Sequence, residues 1–512
     1  MAQQHSAPRG VSSATVLPPL SLLRDTAVPL QRQLYDQIRE VILAGRLAPG
    51  ARLPSSRDLA VELSCSRNTV VSAFEQLFSE GYLEGQVGAG TYVSKVLPED
   101  LLGPGGAAAQ PSGPKSTEPP ALRADARHLS ARGRSLAALR QVPSVPLQPF
   151  QSGAPDIDSF PFDVWGRLLG RTWRSGTAAW ARHGSAAGHP PLRAAIAGYL
   201  RAVRAVRCEA EQVILTSGGQ QAIDLAARCL LDAGDRAWIE DPGYLGLRGP
   251  FLAAGVDLTA VPVDAEGLSL EAALEQEPNA KMAVITPSHQ YPIGVTMSLA
   301  RRLAFLGWAR DSDAWILEDD YDSEFRYAGR PLASLQGMDD DDRVLYVGTF
   351  SKVMFPSLRL GYLVVPPGLV DPMTRARAAL DDHPSMVAQP ALAAFMEEGH
   401  FAAHIRRMRK IYAERRRALI AAADRHLAGL LEVTPDEGGL HMIARLTPEL
   451  AARMDDREAS RRAAAAGITV PPLSGYFLGP QRDQGLMLGF AAFDESTIEK
   501  AAERLAQALL CP

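Results

Sequence analysis

From residue 148 onward the chain alternates short β-rich runs with helical stretches, and this alternation limits the possible folds more than any other feature. The runs are VILT (213–216), AWIE (237–240), MAVIT (282–286), AWILE (314–318), VLYVG (344–348) and YLVV (362–365). Strands this continuously apolar are buried on both faces. The pattern therefore predicts an α/β fold with a largely parallel sheet covered by helices.

At 512 residues the chain exceeds the usual domain size of about 100–200 residues, so at least two domains are expected. Residues 25–95 are compactly patterned. Residues 96–147, which begin LPEDLLGPGGAAAQPSGPKSTEPP, are rich in Pro, Gly, Ala and Ser and read as a flexible linker. As a coil of about fifty residues it would have a root-mean-square span of roughly 40 Å. The α/β domain then occupies 148–512, and residues 1–24, polar and Pro-containing, are assigned no fold.

The formal net charge of −5 excludes a bulk polybasic character, so any nucleic-acid contact must be local. No run of eighteen apolar residues occurs and the N-terminus lacks a basic stretch leading into an apolar core, which gives the expectation of a soluble, cytoplasmic protein with no membrane partner. Cys65, Cys208, Cys229 and Cys511 are scattered, with no CxxC pair. They read as structural thiols in a reducing compartment, and no metal site is expected.

In the N-terminal module, Leu30, Leu34, Ile38, Val41 and Ile42 recur at helical spacing and Gly45 stands where the helix should stop. Ser55 and Asp58 then open a second helix as a capping-box-like pair, and Ser66 caps a third after a short turn at Ser64 and Cys65. On the third helix Val70, Phe74, Leu77 and Phe78 should face inward. Arg67, Asn68 and Thr69 lie in its first turn, where a recognition helix meets bases. YLEGQVGAGTYV reads as a hairpin with a Gly-rich tip, which completes a winged helix-turn-helix. Acidic and basic residues balance between 30 and 95, so one copy should bind DNA only modestly without sequence contacts.

In the larger module the chain uses lysine sparingly: Lys95, Lys115, Lys281, Lys352, Lys410 and Lys500 are all it has. Lys352 follows VLYVG in GTFSKVMFPSLRLGYLVV. It should therefore sit past the carboxyl end of a buried strand, where α/β sheets place ligands. A lysine desolvated there has a lowered pKa and acts as an amine nucleophile toward an aldehyde, which is what pyridoxal 5′-phosphate (PLP) requires. Such a cofactor also needs a carboxylate at its pyridine nitrogen, and Asp319 ends the strand AWILE, with Tyr321 two residues on as a donor to the phenolate oxygen. SGGQQAIDLAARCLL begins a helix after VILT and offers backbone N–H groups to a phosphate, while Tyr244 in EDPGYLG is a candidate to stack on the ring.

PLQRQLYDQIREVILAGRLAPGARLPSSRDLA, SRNTVVSAFEQL and EGYLEGQVGAGTYV together resemble the DNA-binding domain of the GntR family. TSGGQQAIDL, IEDPGYLG, TPSHQYPIG, LEDDYDSEFRY and GTFSKVMFPSLRLGY occur in the order and spacing of fold type I aminotransferases. Nearly the whole chain from residue 25 resembles the MocR/GabR-type regulators. The resemblance implies that Arg57 contacts phosphate, that Arg67, Asn68 and Thr69 approach the major groove from a helix capped by Ser66, and that Gly88 brings the wing to the backbone. It implies Lys352 as the internal aldimine of PLP, Asp319 at the pyridine nitrogen, Tyr321 at the phenolate oxygen and Tyr244 on the ring. Gly219, Gln220, Ser351 and Arg359 would hold the phosphate, with Thr349 and His289 as further members.

It also implies a homodimeric regulator, not an enzyme, that binds a double-stranded DNA operator and senses PLP, an amine or an amino acid by transaldimination; the alternative is an active aminotransferase with a fused regulatory domain. One departure bears on that choice. In GLMLGFAAF, Met487 stands where many amino-acid aminotransferases carry an Arg for the substrate carboxylate, and a thioether cannot make that bidentate pair. Arg248 and Arg482 are the candidate substitutes.

Overall fold

The computed structural model describes residues 17–24, 26, 28–86, 90–98, 129–139, 146–180, 182, 184–327 and 333–510. The chain divides into two compact units, Met1–Leu122 and Arg123–Pro512.

The smaller unit holds helices α1 (Leu30–Leu43), α2 (Ser56–Glu62) and α3 (Arg67–Ser79), followed by strands β1 (Leu83–Gln86) and β2 (Gly90–Val93). The caps form as their residue types require: Ser55 Oγ accepts from Asp58 N at 3.2 Å, and Ser66 Oγ accepts from Thr69 N at 3.1 Å. Leu34, Ile38 and Ile42 from α1 meet Leu59 from α2 and Val70, Phe74 and Leu77 from α3 in one buried cluster. Phe78 departs from the expected inward face and is 37% exposed. It lies a further 100° round the helix from Leu77, which carries its ring off the core and over Gly85 of β1, 3.7 Å from where a Cβ would stand. β1 and β2 pair antiparallel with Leu83 opposite Val93, and an isolated bridge of Arg52 to Tyr92, with Leu53 N bonded to Thr91 O at 2.9 Å, ties the preceding segment to the wing. Leu17 is buried on this core and Leu20 and Leu22 pack against it, so part of the segment left without a fold belongs to the small domain.

In the larger unit β3 (Val213–Thr216), β4 (Arg236–Asp241), β5 (Asp257–Asp264), β6 (Gly267–Leu268), β7 (Met282–Ile285), β8 (Trp315–Asp320), β9 (Val344–Thr349) and β10 (Gly361–Val364) form one sheet in the order β3-β10-β9-β8-β7-β4-β5-β6. β9, β8, β7, β4 and β5 run parallel, while β10 and β6 are antiparallel to their neighbours. Successive residues serve opposite faces. Met282, Val284 and Leu317 enter one apolar cluster with the helix Gly219–Leu230, and Ala283, Ile285 and Ile316 enter another with the helix Leu299–Asp311. This two-sided burial is why these strands read as unbroken apolar runs.

A three-stranded antiparallel sheet, β11 (Leu431–Val433), β12 (His441–Leu446) and β13 (Gly485–Gly489), lies near the C-terminus. The expected linker is partly structured: Ser130 caps a helix at Ala131–Ala137, and Arg132 Nη1 bonds Ala253 O at 3.3 Å, which fastens this stretch to the large unit. Its Ala- and Gly-rich composition concealed a short helix whose stability comes from that packing rather than from its own sequence. Among the described residues, no helix is long and apolar enough to cross a membrane.

Candidate functional site

The parallel strands all end on one edge of the large sheet, and the chemistry-bearing side chains gather there. Lys352 lies three residues beyond the end of β9, and its Nζ donates to Gly153 O at 2.7 Å. Burial pulls its pKa down, while Asp322 and Asp319 act to raise it. Asp319, next to last in β8, has its carboxyl pushed up to about 7, chiefly by burial and then by Asp320, Glu240 and Asp322, with Lys352 acting in the opposite direction. A carboxyl of raised pKa near a lysine of lowered basicity is a pair whose charges a cationic ring would rearrange.

Tyr321 follows β8 and places its hydroxyl 2.9 Å from His289 Nδ1. His289 is buried, and Nδ1 also lies 3.1 Å from Asp322 Oδ2 while Nε2 lies 2.6 Å from Asp436 Oδ2. Burial lowers the imidazole pKa, but the two carboxylates outweigh it and hold the ring well above the usual histidine range. Burial, followed by Asp322, raises the Tyr321 hydroxyl far above the ordinary phenol value, so it remains a proton donor.

On the other side of the edge, the helix Gly219–Leu230 begins at Gly218 with no side-chain cap, which leaves its first N–H groups available to an anion. Arg359 Nη2 donates to Ser217 O at 2.6 Å, and a Cβ on Gly218 would lie 3.2 Å from Arg359 Nη1. Gln220 reaches Gly246 O at 2.5 Å, and Ser351 N bonds Thr349 Oγ1 at 3.2 Å. Tyr244 is 41% exposed, with its hydroxyl 3.4 Å from Gln220 Oε1.

Sequence reasoning missed Tyr291, which meets Tyr244, Tyr321, Tyr476 and His441 edge to face at 5.6–5.9 Å between centroids. It also missed Gly153, Asp322 and Asp436. Tyr291 and Asp322 lay within quoted motifs and the local signal was present; Gly153 and Asp436 come from distant segments and carried none. Met487 is fully buried in β13 with Ile443 and Leu473, and Tyr291 and Tyr476 pack on that cluster. Arg248 keeps its Nε buried without a hydrogen-bond partner, and Arg482 lines a separate cavity of about 370 Å³ with Asp241, Asp264 and Asp483.

In the small unit Arg57, Ser66, Arg67 and Asn68 are exposed and Thr69 is half-buried, its hydroxyl 2.9 Å from Ser66 Oγ. Arg67 Nε lies 3.4 Å from Ser56 Oγ, so the guanidinium is only loosely held. Gly88 lies outside the described residues. Arg52, which the sequence did not single out, stands at the wing with its Nε 3.1 Å from where a Gly90 Cβ would be.

Residues 30–93 match the bacterial regulatory proteins of the gntR family, and residues 152–505 match aminotransferase class I and II. The probable rhizopine catabolism regulatory protein MocR of Rhizobium meliloti is 42% identical over 96% of each chain. The chain belongs to the MocR-type transcriptional regulators. The pyridoxine biosynthesis transcriptional regulator PdxR of Corynebacterium glutamicum is 32% identical over 96% of this chain and 98% of its own. Among solved structures, kynurenine aminotransferase of Pyrococcus horikoshii, in complex with PMP, is 27% identical with a TM-score of 0.65, covering 76% of this chain and 96% of that one. This MocR-type chain is thus a DNA-binding transcriptional regulator with an aminotransferase-like domain.

Proposed function

We propose that the aminotransferase-like domain holds PLP on Lys352 and senses an amine, an amino acid or PLP itself, changing operator affinity in response. The observation that carries this reading is the meeting at one sheet edge of half-buried Lys352, whose Nζ donates to Gly153 O at 2.7 Å and whose pKa desolvation lowers, with half-buried Asp319, whose carboxyl is raised to about 7. A protonated pyridine nitrogen would pair with Asp319 and return it to its ionised form. The uncapped helix start with Arg359, Ser351 and Thr349 would take the phosphate, Tyr244 the ring face, and Tyr321 the phenolate oxygen, with Gly219, Gln220 and His289 completing the set.

When bound, PLP would supply an aldehyde carbon reactive toward amines, and Lys352 would be the residue that holds it. The effect on DNA is limited by the effector's differential affinity for the two conformations of the protein. Arg57 would position the small domain on phosphate, and Arg67, Asn68 and Thr69, with their helix capped by Ser66, would read bases, Gly88 bringing the wing close. Residues 25–95 and 148–512 act as the two working modules. A cytoplasmic homodimer, with two recognition helices related by a two-fold axis, would suit a paired operator.

Met487 disfavours the alternative of an active aminotransferase, because the apolar cluster it shares with Ile443 and Leu473 offers no guanidinium to a substrate carboxylate. The test is the absorbance of the purified protein between about 300 and 500 nm, before and after borohydride, in the wild type and in Lys352→Ala. A band trapped by borohydride in the wild type and absent in the variant is the expected result. A wild type that stays colourless after incubation with PLP sinks the cofactor assignment and leaves the DNA-binding half standing.

A further inference from the structure

His289 bridges two parts of the large unit that are far apart in the chain: Tyr321 and Asp322 follow β8, while Asp436 lies between β11 and β12. The approach is closely built. A Cβ on Gly294 would lie 1.8 Å from Asp436 Oδ2 and one on Gly439 would lie 2.2 Å from His289 Cε1; both glycines have positive φ, 81° and 76°. Only glycine at these two positions lets the carboxylate and the imidazole meet. The Asp436 loop is also stitched to the chain just after Tyr321 and Asp322, through Tyr327 N to Glu437 O at 2.8 Å and Gly439 N to Phe325 O at 2.9 Å.

The geometry poses a question of proton direction. Tyr321 Oη and the Asp322 carboxylate share the neighbourhood of one ring nitrogen, Nδ1. A neutral imidazole that donates from Nε2 to Asp436 has a bare Nδ1, which would accept the tyrosine proton and repel Asp322. A doubly protonated ring donates from both nitrogens and leaves the tyrosine proton no acceptor there. Among the described residues, the other charged or titratable groups around the ring and its two carboxylates include His441, 6.1 Å away between centroids, Arg204, Arg326 and Arg409, which line a cavity of about 90 Å³ behind it, Arg416, whose Nε donates to Asp436 O at 2.6 Å, and Tyr327.

Resting on the PLP reading above, we infer that Asp436 and Asp322, acting through His289, are positioning residues that turn the Tyr321 hydroxyl proton away from the imidazole and toward the cofactor's phenolate oxygen. Asp436 belongs to the segment between β11 and β12, so the setting of Tyr321 follows the seating of that segment. The inference places a proton and involves no bond-making step.

The experiment is a pH titration of the visible absorbance of the full-length PLP-loaded protein. A donor at the phenolate oxygen favours the deprotonated chromophore, so its loss raises the midpoint. Asp436→Asn should raise the midpoint by about one pH unit, in the direction of Tyr321→Phe, and the double variant should move no further than Tyr321→Phe alone. Asp436→Glu should restore the wild-type midpoint. If Asp436→Asn does not retain PLP, His289→Gln is read in the same way, since an uncharged amide in place of the imidazolium should give the same rise. Midpoints that stay at the wild-type value in these variants while Tyr321→Phe shifts, or shifts that add in the double variant, overturn the inference and leave the PLP reading intact. A wild type with no visible band overturns both.

Discussion

The two units place their chemistry on opposite sides of their surfaces. In the small domain the interior is apolar and the residues proposed for DNA, Arg57, Arg67 and Asn68, are exposed on the first turns of their helices. In the large domain Lys352, Asp319, Tyr321 and His289 are drawn into the protein, where burial moves every one of their pKa values or is opposed by neighbouring charge. A reader of DNA meets a partner that brings its own negative charge, so its side chains must stay solvated until contact. A cofactor site must hold groups out of their ordinary protonation states before the ligand arrives. Substitutions in the first region should change binding with little effect on folding, and substitutions in the second should change both.

The largest effect should come from Asp319→Asn. It is expected to weaken PLP binding by at least a hundredfold, measured by absorbance titration, because the pyridine nitrogen loses its anion. The same change should not destabilise the cofactor-free protein above pH 7. The folded pKa of Asp319, about 7, lies above its ordinary carboxylate value, so its ionised form opposes folding as pH rises through that range, and an amide removes this cost. A cofactor-free variant that melts well below the wild type at pH 8 would show that the ionised Asp319 does not oppose folding.

Arg67→Ala should lower operator affinity by about 1–3 kcal/mol, roughly ten- to a hundredfold, and relax preference at one base pair, with the melting temperature unchanged. Arg57→Ala should weaken operator and random DNA alike and reduce the salt slope of binding by about one. A selective loss of operator binding in Arg57→Ala would reverse the two assignments. The smallest effect is expected for Ser66→Ala, a loss of about 1 kcal/mol of small-domain stability in denaturant unfolding as the bond to Thr69 N disappears. A larger loss of DNA affinity than this accounts for would move Ser66 from a capping role to direct contact.

Much of the architecture was legible locally. Six apolar runs correspond to β3, β4, β7, β8, β9 and β10, and Ser55 and Ser66 cap the helices that their spacing announced. The strand β5, with only Val261 fully buried along it, was not read, because partial burial gives neither an unbroken apolar run nor a clean alternation. The helix at Ala131–Ala137 was hidden for a related reason: its support comes from Ala253, which lies 121 residues away from Arg132. Phe78 shows the limit of periodicity at the edge of a helical face, where a further turn of about 100° beyond Leu77 carries the ring off the core and over Gly85 of the wing.

The residues by themselves determined which chemistry the chain carries. Lysine sparingly used, an aspartate ending one strand and a lysine just past another are properties of order along the chain, as is the cap-and-turn pattern of the small domain. What only the tertiary structure decided is which partners those groups face. Gly153 and Lys352 lie 199 residues apart, and His289 and Asp436 lie 147 apart. Burial and facing charge set the protonation of Lys352, Asp319 and His289, and both arise from the closing of the chain rather than from neighbours in sequence, because electrostatic interaction depends on distance in space and on the water excluded between the groups.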